Sequence, residues 1–423
     1  MWYVSTRGVA PRVNFEGALF SGYAPDGGLF MPEELPQLDR GTLCQWSTLS
    51  YPGLVKELCA LFIGSELLPK DELNDLIDRA FSRFRHREVV HLSRLRNGLN
   101  VLELWHGVTY AFKDLSLSCT TQFLQYFLEK REKHVTVVVG TSGDTGSAAI
   151  ESVQGAKNMD IIVLLPKGHC TKIQELQMTT VLKQNVHVFG VEGNSDELDE
   201  PIKTVFADVA FVKIGLPIRL VVAVNRNDII HRTVQQGDFS LSEAVKSTLA
   251  SAMDIQVPYN MERVFWLLSG SDSQVTRALM EQFERTQSVN LPKELHSKLS
   301  EAVTSVSVSD EAITQTMGRC WDENQYLLCP HSAVAVNYHY QQIDRQQPST
   351  PRCCLAPASA AKFPEAVLAA GLTPETPAEI VALEHKETRC TLMRRGDNWM
   401  LMLRDTIEDL SRQWRSHALN TSQ

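Results

Sequence analysis

Five short apolar runs, Val101–Leu104, Val135–Val139, Ile161–Leu165, Val186–Val191 and Ile218–Val224, alternate along this chain with longer stretches of helical character. Strand, helix and strand in repetition predict an α/β fold, a doubly wound parallel sheet with helices on both faces. Ahead of it, Leu73, Leu76, Ile77, Ala80, Phe81 and Phe84 recur at helical spacing over residues 71–84 and predict a helix in an N-terminal domain, residues 1–92. Residues 93–370 then form the main α/β region. Beyond it, Glu387–Met393 and Trp399–Leu403 flank Arg394-Arg-Gly-Asp-Asn398 in the manner of a β-hairpin and lead into a last helix near Thr406–Trp414. Residues 371–423 are therefore expected to be a small C-terminal cap, and Gln346–Pro351 a surface loop.

Composition narrows the partners. With 41 basic and 50 acidic residues the net charge is −9, so nucleic acid and anionic membrane find no general attraction, and any phosphate must be held locally. The apolar runs fall far short of the roughly 20 residues that cross a bilayer. Nine cysteines without paired spacing, behind an N-terminus with no apolar signal core, point to reduced thiols and a cytoplasmic protein.

Two segments can carry chemistry. Gly140-Thr141-Ser142-Gly143-Asp144-Thr145-Gly146 follows the run Val135–Val139 and opens a helix, so its backbone N–H groups, helix dipole and hydroxyls suit a carboxylate or phosphate. By itself the loop fits a tight strand-to-helix turn equally well, and it matches neither the dinucleotide nor the Walker glycine pattern. The second is Lys113, in His106-Gly-Val-Thr-Tyr-Ala-Phe-Lys-Asp114 after the run Val101–Leu104. A lysine at a helix start is ordinarily a solvated cation; burial against Tyr110 and Phe112 would instead favour the neutral amine needed to condense with a carbonyl.

Together these segments resemble a known family. Ser5-Thr-Arg-Gly8, Pro25-Asp-Gly-Gly-Leu29, His106-Gly107, Ala111-Phe-Lys-Asp114, Thr141–Gly146, Gln174-Glu-Leu-Gln-Met178, Gly193-Asn-Ser-Asp196, Asn227-Asp228 and Ala252-Met-Asp254 are similar, in order and across most of the chain, to the threonine synthases. These are pyridoxal-phosphate (PLP) enzymes with the tryptophan-synthase β type of fold. The resemblance implies that Lys113 carries PLP, that Thr141, Ser142, Gly143, Asp144, Thr145 and Gly146 bind the substrate carboxylate and nearby cofactor groups, and that the substrate is a small phosphorylated amino acid. It implies a phospho-lyase acting on O-phosphohomoserine and O-phosphothreonine to give 2-oxobutanoate, ammonia and phosphate. Threonine formation from O-phosphohomoserine is the alternative, and it requires water to be added at the β-carbon.

Two departures from the family pattern matter. Phe211-Val-Lys-Ile-Gly-Leu-Pro217 runs straight into the next strand, where threonine synthases carry a helix, a buried strand and a glycine-rich loop around the cofactor phosphate. The missing piece, near 213–214, predicts weak cofactor binding and poor folding, since such a strand contributes on the order of 10 kcal/mol, and it leaves a catalytically dead variant as a further alternative. At Leu355-Ala-Pro-Ala-Ser-Ala-Ala-Lys-Phe363, Pro357 stands where the family has a threonine near the pyridine nitrogen, so either Ser359 substitutes or the nitrogen meets another group. No metal is expected: Cys320, Cys329 and His331, His169-Cys170 and Cys353-Cys354 lack zinc-site spacing, and His-Glu-x-x-His is absent. Lys167 and Lys172 could reach a substrate phosphate, although surface charge explains them more simply.

Overall fold

The computed structural model describes residues 1–193, 219–345 and 351–421. Residues Asn194–Asp196 of one motif, the junction at 213–217 and most of the loop at 346–350 lie outside the described residues.

Val135–Gly140, Met159–Pro166 and Val186–Val191 pair side by side, all parallel. Met159–Pro166 shows why its sequence is almost continuously apolar: a parallel strand covered on both faces has no side that tolerates polar residues. Ile161, Val163 and Leu165 meet Leu124 and Leu128 of the helix Lys113–Arg131, Ile150 of the helix Asp144–Val153, and Met178 of the helix Lys172–Thr179. On the opposite face Ile162 and Leu164 pack against Leu403 and Leu410. Each of these buried side chains contributes about 1.5–3 kcal/mol.

Leu99–Glu103 lies between Arg352–Ala356, parallel, and His91–Arg94, antiparallel. Leu220–Val224 pairs in parallel with Val303–Ser307. Leu99, Val101, Val334, Val336 and Cys354 share a core against which Ala223 and Val306 pack, so the two groups of strands are continuous through side chains.

The helix expected over 71–84 runs Lys70–Phe81 and buries Leu73, Leu76, Ile77, Ala80 and Phe81; Phe84 falls beyond its end and packs edge-on against Phe81 at 5.3 Å. The motif Ser5–Gly8 is a clamp. Arg7 pairs with Glu262 at 3.1 Å and Glu284 at 2.6 Å, and Thr6 Oγ1 donates to Glu262 at 2.6 Å, which ties the N-terminus to the helices Met261–Leu268 and Ser273–Thr286.

The C-terminal hairpin does not form. Thr391–Met393 instead adds in parallel beside Val186–Val191, extending the central sheet, and Trp399–Thr421 is one helix whose Leu403 and Leu410 cover that sheet. Asn398 caps it by accepting from Leu401 N at 3.0 Å, which turns the apolar run Trp399–Leu403 into a first helical turn. All nine cysteines are unpaired. Among the described residues, no helix is long and apolar enough to cross a membrane.

Candidate active site

Lys113 opens the helix Lys113–Arg131, directly after a loop that leaves the strand Leu99–Glu103. That loop is fixed from inside. The buried Asp114 carboxylate accepts from Thr109 N and Thr109 Oγ1, both at 2.8 Å, and Gln177 Nε2 donates to Thr109 O at 3.1 Å. Position 107 must be glycine, because a Cβ there would lie 2.3 Å from an Asp114 oxygen. Tyr110 takes the left-handed φ of 59°, and its hydroxyl donates to Glu379 at 2.9 Å while its ring carries Arg85 at 4.1 Å. Tyr110 is thus engaged elsewhere, and the contact expected between it and Lys113 is not among those the structure presents.

The Lys113 amine lies 4.5 Å from the centre of the Phe112 ring and has no hydrogen-bond partner among the described residues. Burial pulls its pKa below the ordinary lysine value, and the nearby Asp144 carboxylate opposes this only in part. Desolvation outweighing a single counter-charge shifts the amine toward its neutral form relative to an exposed lysine.

Asp144 links Lys113 to the glycine-rich loop, as the helix Asp144–Val153 begins there. Thr141 Oγ1 accepts from Gly143 N at 2.9 Å and Gly146 N at 2.8 Å, so these two N–H groups, expected to be open to an anion, are already satisfied within the loop. What remains for a ligand is the half-exposed pair of hydroxyls, Ser142 and Thr145, with the unpaired N–H groups of the first helical turn at Asp144 and Thr145. Gly143 and Gly146 are demanded by packing. Gly143 has φ 131° and a Cβ on it would meet Gln174 Cδ at 2.5 Å; one on Gly146 would meet Met178 Sδ at 2.6 Å.

The Asp144 side chain, expected to bind substrate, is likewise committed. It ion-pairs with Lys362 Nζ at 2.6 Å and accepts from Gln174 Nε2 at 2.9 Å. Lys362 is wholly buried. Although burial alone would raise the Asp144 pKa, Lys362 and Gln174 together hold it below the ordinary carboxylate value. Gln174 also accepts from Thr171 N at 3.0 Å, completing a capping box at the start of the helix Lys172–Thr179. His331 sits in the same electrostatic neighbourhood. Its Nε2 accepts from Ala252 N at 3.1 Å, its ring packs on Phe363, and burial lowers its pKa to about 4, so the imidazole is neutral.

Ser359 reaches this site through the backbone. Phe112 N donates to Pro357 O at 2.7 Å and Ser359 N to Tyr110 O at 3.0 Å, joining the Lys113 loop to the segment 357–363. The Ser359 hydroxyl accepts from Ala361 N at 3.3 Å as the cap of the short helix Ala360–Lys362, which leaves its proton available for donation. Asn227 and Asp254 belong to a support: Asp254 accepts from Asn225 at 2.7 Å, Thr248 Oγ1 at 2.7 Å and Asn227 at 3.1 Å, fixing the turn that presents Ala252 to His331. Asp228 pairs with Arg232 at 3.2 Å. Lys167 and Lys172 are exposed. From sequence, His331 is named only as a rejected zinc ligand and Lys362 only within Leu355–Phe363, with a site role for neither; the Ala-Lys-Phe motif at 361–363 is the available signal for Lys362, while the role of His331 depends on partners distant in sequence.

Comparisons with known proteins accord with this geometry. Models described as threonine synthase N terminus and threonine synthase, C-terminal, match residues 2–81 and 332–401. The human protein named threonine synthase-like 2 is 87% identical over 484 aligned residues that cover both chains fully. Because this chain has 423 residues, at least 484 − 423 = 61 of those positions stand opposite a gap in it. Threonine synthase of Schizosaccharomyces pombe is 32% identical, covering 86% of this chain and 88% of that protein. Among solved structures, PLP-bound threonine synthase from Brucella melitensis superposes with a TM-score of 0.86 at 29% identity, covering 97% of this chain and all of that one. Yeast threonine synthase does so with a TM-score of 0.87 at 30% identity, covering 97% and 99%.

Proposed function

The chain belongs to the threonine synthase family, with its α/β fold of the tryptophan-synthase β type, and we propose that it is a PLP-dependent phospho-lyase. The observation that carries this reading is the Lys113 amine: unpaired, kept toward its neutral form by burial, and electrostatically coupled to the residue that opens the glycine-rich helix. This donor set suits PLP, whose aldehyde requires a neutral amine. When bound, PLP supplies an electron sink for the substrate's α-carbon.

The remaining roles fall to the chain itself. Ser142 and Thr145, with the N–H groups of the first helical turn, bind the substrate carboxylate. Asp144, clamped by Lys362 and Gln174, keeps that turn in place. Lys113 Nζ would be the amine that holds PLP and, when free, the general base for the α-proton. With O-phosphothreonine, phosphate leaves directly from the β-carbon; with O-phosphohomoserine, a further proton shift at the β-carbon expels it from the γ-carbon. Hydrolysis then yields 2-oxobutanoate and ammonia. Threonine synthesis would require the intermediate to be retained and hydrated, a stricter demand on the site. Ser359, whose hydroxyl proton is available for donation, would be the residue that meets the pyridine nitrogen.

A second reading, a catalytically dead variant, draws support from the alignment shortfall. We assign that shortfall to 213–214, within a main region of residues 93–370 between an N-terminal domain, 1–92, and the C-terminal residues 371–423. One experiment separates the readings. The protein is titrated with PLP, the visible absorption of lysine-bound cofactor is followed, and the product is reduced with borohydride and mapped by mass. Saturable binding at Lys113, with phosphate and 2-oxobutanoate released from both substrates and lost in Lys113→Ala, is expected. Threonine as main product would favour the synthase, and a folded sample without lysine-bound cofactor the dead variant.

A further inference from the structure

We propose that His86, Glu88 and His91 form a binding site for a divalent transition ion of the Zn2+ class. His86 and Glu88 lie on the link that follows the helix Lys70–Phe81 and His91 opens the strand His91–Arg94, and their ligand atoms all fall within 4.8 Å of one another. Two imidazoles and one carboxylate are a donor set that borderline ions favour, with a further position open to water. The sequence expectation of no metal weighed only cysteine-bearing pairs and the His-Glu-x-x-His pattern; His86-x-Glu88-x-x-His91 escaped it.

The chain invests in this arrangement. Val89 adopts φ 67°, a left-handed conformation that is strained for a β-branched side chain, and the resulting turn brings Glu88 Oε2 to 2.9 Å from His91 Nδ1. Val89 is buried in the N-terminal core, and its N–H donates to His86 O at 3.0 Å, so packing holds the turn. The His86 ring is flanked by His91 and His106 at centroid distances of 4.8 and 4.6 Å. His106 is itself held by Glu103 at 2.8 Å, and that carboxylate also accepts from Ser93 and Tyr326. Three imidazoles with two carboxylates thus pack together, and the outer carboxylate, Glu88, is largely exposed and free to swing onto an ion arriving from solution.

Zn–N distances of about 2.0–2.1 Å bring neighbouring ligands closer than the widest separation here, a change that side-chain rotation at Glu88 and His91 accommodates. Occupancy would register next door. Arg85 N donates to His106 O at 2.9 Å, and its guanidinium donates to Gly107 O at 2.6 Å and Val108 O at 3.1 Å, in the loop that leads to Lys113.

The test uses the full chain after chelator treatment, titrated with Co2+ as a visible probe and then with Zn2+. One equivalent of Co2+ giving ligand-field absorption, displaced by Zn2+, is expected. His86→Ala and His91→Ala should each weaken binding by at least the roughly 10–100-fold that loss of an outer-shell partner costs. His296→Ala, in the helix Lys293–Ala302, should not. If a histidine variant fails to fold by circular dichroism, Glu88→Gln at its exposed position carries the same expectation. Absence of stoichiometric binding, or binding that survives these substitutions, overturns the proposal.

Discussion

Replacing Lys362 by methionine removes the buried cation that faces Asp144 and keeps most of the side-chain volume. The two charges meet at 2.6 Å, with Lys362 unexposed and the Asp144 side chain at 9%. At an effective dielectric of about 20 their attraction at that separation is about 6 kcal/mol, much of which offsets the desolvation of both groups. Removing one partner leaves the other uncompensated, so Lys362→Met should cost about 3–5 kcal/mol at pH 7. Asp144→Asn should destabilise for the mirror-image reason. The double variant has neither charge to strand, and its cost should be at least about 2 kcal/mol smaller than the sum of the single costs. Urea unfolding of the four proteins measures this. The pH dependence has a definite sign: the folded Asp144 pKa lies below its unfolded value near 3.9, so the contribution is complete above that pH and is lost as pH falls through the folded value. A Lys362→Met protein within about 1 kcal/mol of the parent, or strictly additive single effects, would refute the reasoning.

Other outcomes follow from the same geometry. Thr141→Val strands the buried Gly143 and Gly146 N–H groups at about 1–3 kcal/mol each, whereas Thr141→Ser keeps the acceptor and should melt close to the parent. Gly143→Ala combines a φ of 131° with a Cβ 2.5 Å from Gln174 Cδ, so a loss of about 2–5 kcal/mol is expected in thermal unfolding, and a melt within a degree of the parent would contradict it. Asp254, whose pKa burial raises to about 6, binds its proton more tightly folded than unfolded; stability should therefore fall as pH rises from about 4 to 6, and Asp254→Asn should flatten that slope in urea titrations. Inserting the relatives' segment at 213–214 should raise PLP affinity and sharpen melting, and identical melting and PLP response in both forms would show that the shortfall is neutral.

Much of this fold is legible locally, although Phe84 lies beyond its helix and the apolar run Trp399–Leu403 is helical. Leu73, Leu76, Ile77 and Phe81 sit where helical spacing puts them, and Ile161–Leu165 within the strand Met159–Pro166 is apolar throughout because both faces are covered. Lys113 and Thr141–Gly146 stood out because glycine and lysine at element starts leave local marks. Pairings made at long range leave none. Thr391–Met393 is three residues long, and its partner lies some 200 residues earlier, so a nearby turn offered a tempting hairpin. The Asn398 cap was the overlooked signal there. The committed state of Asp144 depends on Lys362, more than 200 positions away, and the two satisfied loop N–H groups depend on the rotamer of Thr141, neither of which spacing records.

The late arrival of Thr391–Met393 also bears on how the protein is made. Chains emerge from the ribosome N-terminus first, and Met159–Pro166 and Val186–Val191 are complete long before their last neighbour and the covering Leu403 and Leu410 exist. Until then Ile162, Leu164, Phe189 and Val191 present an uncovered apolar face beside an open strand edge, the arrangement most prone to pairing with another chain. A nascent polypeptide halted near residue 380 should therefore bind holding chaperones and be recovered in aggregates, and release of the last forty or so residues commits the sheet to its finished form.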